Sequence, residues 1–459
     1  MITLLLAVVT STAAIDAAIA KQVTEQQVTG AAVGVYQDGA LLVLKTYGLR
    51  DVAKNLPVDA DTRFEIGSVT KQFTAAAILQ LQEQGKLSID DPLAKYLPTF
   101  PHANEITLRQ LLNQVSGLPN YTSLPDIATA MATIPDATGK IVAYVNKPLN
   151  FTPGTKWEYS NTNYWVLGEV VSRVSGMSYE DYVREHIFKP AGMTHSGFVS
   201  DESGLDDFAI PYWQGPKNDG PTQPAPTMLE SWPGAAGAIV STVGDLAAWD
   251  IALASGKVIS RDSFALMSSP GRLAGGKFTG YGMGLEVGSH DGHARIAHGG
   301  GTPGSLTMNA TYPDDRLDIV VLENSLRGQP GAIESAVLET MYPDALAAAR
   351  KAAPGEDLSV RPRIVQLLDR LLNGTLAQSE LSPQMQKALT PNALKQSAAH
   401  FSAFGAPTAI VFKSKDDTSF EATWYVYRIE FAHGEVRNFE VQLDNKTGVV
   451  TGMQLAPAD

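Results

Sequence analysis

The feature that most constrains this chain is a strand hairpin near its start, answered by further strands only far downstream. Ala31–Gln37 and Ala40–Thr46 read as strands, and Asp38-Gly39 between them is a strong hairpin turn. Strand patterns return at Tyr281–Gly288, Ser305–Tyr312 and Arg316–Leu322, with Pro313-Asp314-Asp315 turning the last pair. From about Leu87 to Gly280 the patterns are mostly helical, broken by Pro/Gly turns. Strand pairs at both ends of a helical middle imply one α/β unit, an antiparallel sheet flanked by helices with a large helical insertion. A helix is expected over Ile15–Gln27. A clearer one follows Gly67, where Ser68–Gln84 has Phe73, Ala76, Ala77, Leu79 and Leu81 at helical spacing and Gly85 stops it.

A chain of 459 residues is too long for one ordinary core. Its texture turns Ala-rich and charged at residues 344–360, with Pro354-Gly355, which reads as a linker after a main domain of residues 15–343. Residues 361–459 then form a small α+β module. Ile364, Leu367, Leu368 and Leu371 mark one helix face, and Ser419–Phe431 with the alternating Phe439, Val441 and Leu443 read as antiparallel strands. The module holds no cluster of catalytic residue types. At the other end, residues 2–14 form an apolar run of signal-peptide length, too short for a bilayer span, so export to the periplasm or medium is expected. The basic leading region of a signal peptide is missing, since the first lysine is Lys21. No stable membrane insertion of the mature chain is expected.

The formal net charge of −13 repels phosphate backbones, which excludes nucleic acid as a partner. The chain has no cysteine, so disulfides, thiol nucleophiles and thiolate metal sites are ruled out. Three short elements remain that can do chemistry. In Ser68-Val69-Thr70-Lys71 the serine and lysine lie three residues apart on a helix, so the amine can sit beside the hydroxyl and take its proton. The start of a helix also favours a developing oxyanion. Alone the spacing is a chance event in a chain of this size, but the extended Arg63–Ile66 and the Gly67 turn leading into Ser68 are not explained by an ordinary surface helix.

The second element is Tyr159-Ser160-Asn161. A tyrosine near a cationic amine can lose its proton more easily, and the asparagine amide can bind a substrate carbonyl and orient the lysine. Tyr144-Val145-Asn146 has the same spacing but lies inside an apolar helical pattern, whereas Tyr159 follows the turn Thr152–Thr155. The third is His298-Gly299-Gly300-Gly301, whose glycines let the backbone approach a ligand and whose histidine can hold a polar group of the substrate. His290-Asp291-Gly292 repeats that spacing in a turn-like setting. A metal site of His290, His293 and His298 lacks an acidic or cysteine ligand pattern to complete it, so no metal and no cofactor are expected. Tyr121, Trp213, Trp232 and Tyr281 are candidates for a pocket wall, or equally for the core. The absence of a G-x-S-x-G motif sets aside an α/β-hydrolase.

The ordered set Ser-x-x-Lys, Tyr-x-Asn, His-x-Gly resembles the class C β-lactamase and penicillin-binding-protein-like serine hydrolases. The likeness extends to Phe64–Thr74, to Leu111–Pro119, to Pro153-Gly154, to Phe188–Met193 and to Gly237–Thr242, and covers roughly residues 15–340. It implies a β-lactamase/DD-peptidase-like fold and an acyl-enzyme route. Ser68 attacks a carbonyl, Lys71 and Tyr159 move its proton as a pair, Asn161 positions substrate and lysine, and the N–H groups of Ser68 and Gly301 form the oxyanion hole. His-Gly-Gly stands where β-lactamases carry Lys-Thr-Gly, so antibiotic hydrolysis is expected to be weak. His-x-Gly occurs instead in relatives acting as D-aminopeptidases, DD-peptidases or esterases. Gln114-Val115 replaces the family's His-Thr. The substrate implied is a small molecule or peptide with an ester or amide bond. The alternative is a binding protein on the same scaffold that acylates slowly or not at all. The last module is similar to nuclear-transport-factor-like or cystatin-like domains.

Overall fold

In a computed structural model, residues 11–204, 206–214, 220, 222–226, 228–276, 278–416, 422–433 and 435–457 are described. Residues 1–10 of the expected leader lie outside them. Ser11 accepts from the Ala14 N–H and caps helix α1 (Thr12–Gln26), three residues earlier than the apolar pattern suggests. The chain divides into two compact units, residues 9–288 with 294–334, and residues 289–293 with 335–459.

The larger unit is built on a seven-stranded antiparallel sheet. Its strands are β1 (Gly30–Gln37), β2 (Ala40–Asp51), β3 (Leu56–Pro57), β4 (Glu286–His290), β5 (His293–Thr302), β6 (Ser305–Tyr312) and β7 (Leu317–Glu323). Their spatial order is β3-β2-β1-β7-β6-β5-β4. The two ends of the domain therefore meet at the β1–β7 pairing, where Ala31 opposes Glu323 and Gln37 opposes Leu317. The strand expected over Tyr281–Gly288 begins only at Glu286, because Gly282 and Gly284 turn the chain first; Gly284 has a left-handed φ of 73° and touches the Lys71 carbonyl.

Both faces of the sheet are covered, which explains why β7 is buried along its whole length rather than alternating. On one face α1 buries Ile15 and Ile19, and its Asp16 accepts from Tyr47 at 2.8 Å and pairs with Lys45 at 2.7 Å on β2. On the other, α5 (Val243–Ser255) joins a single core with α2 (Thr70–Glu83) and α4 (Asn161–Ser175). Phe73 stacks on Trp249 in that core with ring centroids 4.2 Å apart.

One buried acid in this unit gives a stability prediction. Glu323 is 0% exposed, neither carboxyl oxygen has a hydrogen-bond partner among the described residues, and a Cβ on Gly328 would lie 1.7 Å from its Oε2. Burial pushes its pKa up to about 8 from an ordinary 4.5. Between those values the unfolded chain releases this proton and the folded chain keeps it, so Glu323 costs about 1.4 kcal/mol of stability per unit of rising pH. Glu323→Gln removes that slope. Its melting temperature relative to wild type should rise between pH 5 and pH 8 in paired calorimetric scans, and a constant difference across that range would refute the assignment.

In the smaller unit, helix α7 (Arg361–Leu372) turns Ile364, Leu367, Leu368 and Leu371 into a core shared with Tyr427, Ile429, Phe439 and Val441. These belong to a four-stranded sheet of β8 (Pro407–Asp416), β9 (Ala422–Phe431), β10 (Val436–Asp444) and β11 (Val450–Pro457), in that order. β8 is absent from the sequence reading. It is an edge strand that opens on Pro407, where a missing N–H is tolerated. Residues 344–360 are not an open linker, since helix α6 (Pro343–Ala349) lies within this unit.

Candidate active site

The approach to Ser68 is set by backbone geometry. Phe64 and Glu65 pair with Ser241 and Val240, and Gly67 then takes a φ of 50°. A side chain there would meet the Gly301 backbone nitrogen at 2.7 Å, so glycine is needed for both reasons. The chain passes through a 3₁₀ turn at Gly67–Val69 directly into α2, leaving Ser68 partly exposed while Val69 and Phe73 anchor the turn in the core. Ser68 thus stands just ahead of the α-helix proper, where N–H groups point outward.

Lys71 is fully buried. Its Nζ lies 2.9 Å from Ser68 Oγ, 2.8 Å from Asn161 Oδ1 and 2.8 Å from the Ala236 carbonyl oxygen. Two of these partners can only accept, so the amine must donate to both. The third is a hydroxyl that can donate in return. A protonated amine can donate to all three, whereas a neutral one donates to the two fixed acceptors and keeps its lone pair for the Ser68 proton. Burial also drives the Lys71 pKa well below that of an ordinary lysine. Asn161 opens α4, and the Ala236 carbonyl is brought in because Gly168 on α4 leaves no Cβ to strike Ala235, which would lie 2.4 Å away.

Tyr159 reaches Ser68 with its hydroxyl, and its ring centroid lies 4.9 Å from Lys71 Nζ. Its surroundings raise the phenol pKa, burial first and the charge of Glu286 in support, against the opposing Ser68 hydrogen bond. This reverses the expectation that the amine eases proton loss from Tyr159. Burial lowers the amine's own pKa and outweighs any help it gives, so the phenol's proton is held more tightly than in an ordinary tyrosine.

His298 is 3% exposed, with Nδ1 2.6 Å from the Gly299 carbonyl and Nε2 2.9 Å from the Tyr281 hydroxyl. A carbonyl only accepts, so the proton sits on Nδ1 and Nε2 accepts from Tyr281. Burial is the main cause of a pKa pushed down to about 4. The imidazole is therefore neutral, and both nitrogens are spent on the protein itself. It orients Tyr281 and offers no positive charge to a substrate. Gly300 packs on the Ile66 carbonyl, 2.0 Å from where a Cβ would be, and the Gly301 backbone lies against Gly67, the residue before Ser68. β4 has five residues and β5 ten, so Gly299–Thr302 lie past the end of β4 with one edge open.

The other sequence candidates do not join this cluster. Tyr144 packs on the core with Lys147 Nζ 4.0 Å from its ring centroid. Tyr121 and Trp232 are buried, with the Tyr121 hydroxyl donating to the Trp232 carbonyl. Trp213 lies on a short strand opposite Gln223. His290 faces Ser335 at 3.2 Å in the smaller unit, to which His293 also belongs. Three contributors were not legible in the sequence. The Ala236 carbonyl is backbone and has no residue signature. Gln114 contacts the Tyr159 segment from 45 residues upstream. Trp157, 42% exposed and 6.0 Å from Tyr281 between ring centroids, was detectable only as an aromatic two residues before Tyr159.

Comparison with known proteins bears on the family and the fold. The family model described as Beta-lactamase matches residues 15–339. Over 293 residues the chain is 33% identical to the putative penicillin-binding protein PbpX of Bacillus subtilis (strain 168), a match that spans 63% of this chain and 69% of that protein. Among solved structures it is similar to a D-stereospecific amidohydrolase from Streptomyces sp., with 28% identity, a TM-score of 0.62, and coverage of 72% of this chain and 98% of the other. The octameric penicillin-binding protein homologue from Pyrococcus abyssi shares the fold over 96% of this chain and 98% of its own, with 23% identity and a TM-score of 0.63. A family match over most of the chain, on a sheet that joins its two ends beside Ser68 and Lys71, leads to one statement: this protein belongs to the β-lactamase family, on a β-lactamase/penicillin-binding-protein-like fold with an additional C-terminal sheet domain.

Proposed function

We propose that this protein is a serine acyl hydrolase that cleaves an ester or amide through an acyl-enzyme on Ser68. The observation that carries the reading is the Lys71 amine, held by two fixed acceptors with its remaining valence on Ser68 Oγ. In the proposed cycle the Ser68 proton passes to Lys71 as Oγ bonds to the substrate carbonyl carbon. The oxygen that gains charge is received by the N–H groups of Ser68 and Gly301. As the tetrahedral centre collapses, the bond to the leaving group breaks, and the proton returns from Lys71 to that group with Tyr159 as the protonated relay. A water molecule then repeats the sequence on the acyl-enzyme, giving its proton to the amine and releasing the acid and Ser68.

The neutral His298 supports uncharged substrate ends over carboxylates at this position. Two further observations support the hydrolase reading: a fold shared with a D-stereospecific amidohydrolase, and an exposed aromatic, Trp157, beside Tyr281. The test is stopped-flow turnover of p-nitrophenyl acetate, a D-phenylalanine p-nitroanilide and nitrocefin on the folded protein. The reading expects a burst of one product per chain with the ester or the anilide, followed by steady turnover, with nitrocefin the slowest. Absence of burst and turnover with both the ester and the anilide would overturn it.

A further inference from the structure

Gln114 is fully buried and holds a φ of 61°, a left-handed conformation that a glutamine rarely adopts. It directly follows the α3 helix (Leu108–Leu112) and its cap, Asn113. Such an outlier persists only where the surroundings over-determine it. Here those surroundings are the segment that carries Tyr159 and Asn161. The Gln114 carbonyl accepts from the Glu158 N–H at 3.0 Å. Its side-chain Oε1 accepts from the Ser160 N–H at 3.0 Å and from Asn163 Nδ2 at 2.6 Å. Asn163 is itself oriented by Ser116 Oγ, which donates to its Oδ1 at 2.6 Å. Because Oε1 faces two donors, the amide orientation is fixed.

These three bonds bracket the reacting groups. They fall on the residues before and after Tyr159, and on residues before and after Asn161. The same segment is also held from downstream of Gln114, by Asn120 Oδ1 accepting the Asn161 N–H at 3.1 Å and by the Thr162 hydroxyl donating to the Pro119 carbonyl at 2.7 Å. We propose that Gln114 is a positioning residue for the reaction. By seating the Glu158–Asn163 backbone, it sets the distance of the Tyr159 hydroxyl from Ser68 and of Asn161 Oδ1 from Lys71. It touches neither substrate nor Ser68, so it governs the acylation rate and not substrate affinity. This rests on the acyl-enzyme reading above and assigns a role to the Gln-Val departure from the family's His-Thr.

The test compares wild type, Gln114→Met and Gln114→Glu in p-nitrophenyl ester burst kinetics. Burst amplitude counts competent sites, and the burst rate constant reports chemistry at each one, so partial misfolding lowers the first and not the second. Methionine keeps length and removes the acceptor. It should lower the acylation rate constant per competent site by 10-fold or more, with apparent substrate affinity within about twofold of wild type. Glutamate retains acceptor oxygens for Ser160 and Asn163 and should recover the rate to within about threefold of wild type. Gln114→Asn withdraws the oxygen by one methylene; it should match methionine and replaces it if the methionine variant does not fold. A wild-type rate per site in Gln114→Met or Gln114→Asn overturns the proposal, as does a Gln114→Glu variant equally slow. A wild type with no burst fails the hydrolase reading instead, and the two failures are thus distinguishable.

Discussion

Lys71→Met should lower the ester acylation rate by about 10³-fold and abolish its dependence on pH across the range where the wild type rises. The magnitude is that of removing a general base from a hydroxyl nucleophile. The direction of the pH effect follows from burial. A group that stays neutral inside the protein is competent as a base, and protonation at lower pH adds a third N–H where the lone pair faced Ser68. The wild-type rate should therefore climb with pH through an apparent pKa well below that of an ordinary lysine. Methionine fits the buried slot without a charge, but leaves Asn161 Oδ1 and the Ala236 carbonyl without their donor. Thermal unfolding of the variant is measured alongside, so that lost rate is separated from lost fold. A rate within tenfold of wild type, still rising with the same apparent pKa, would assign the base elsewhere.

Ser68→Ala should be more severe. In the proposed cycle it removes the atom that bonds to the acyl group, so burst and turnover should both vanish, down to whatever hydrolysis the backbone N–H groups at positions 68 and 301 support by binding alone. The fold should be unaffected. Ser68 is partly exposed, and the 3₁₀ turn is anchored by Val69 and by the Gly67–Gly301 contact rather than by the hydroxyl. Steady-state turnover with p-nitrophenyl acetate and a melting curve check both halves of the statement. A variant that retains wild-type turnover would contradict it.

The parts of this architecture legible in the sequence were those fixed by local pattern. The hairpin at Asp38-Gly39, the amphipathic stripe of α7 and the Gly67-Ser68 entry to α2 are each written within a dozen residues, by turn chemistry or helical spacing. The four candidate site residues were legible because Ser68 and Lys71 share one helical turn, and because Tyr159 and Asn161 lie at a helix start. What escaped was tertiary. Gln114 acts through contacts to residues 158–163, and nothing near it in the chain marks them. His298 reads from sequence as a substrate ligand, yet burial and Tyr281 turn it inward. Tyr159 reads as a ready acid, yet its environment raises the phenol pKa. Both reversals come from desolvation, which a sequence does not display.

The most direct test of the central claim is intact-protein mass spectrometry after incubation with a fluorophosphonate, followed by peptide mapping. The account predicts one adduct per chain, located on Ser68, whose formation slows in Lys71→Met and fails in Ser68→Ala. An adduct on any other residue, or none on folded wild-type protein, would contradict it.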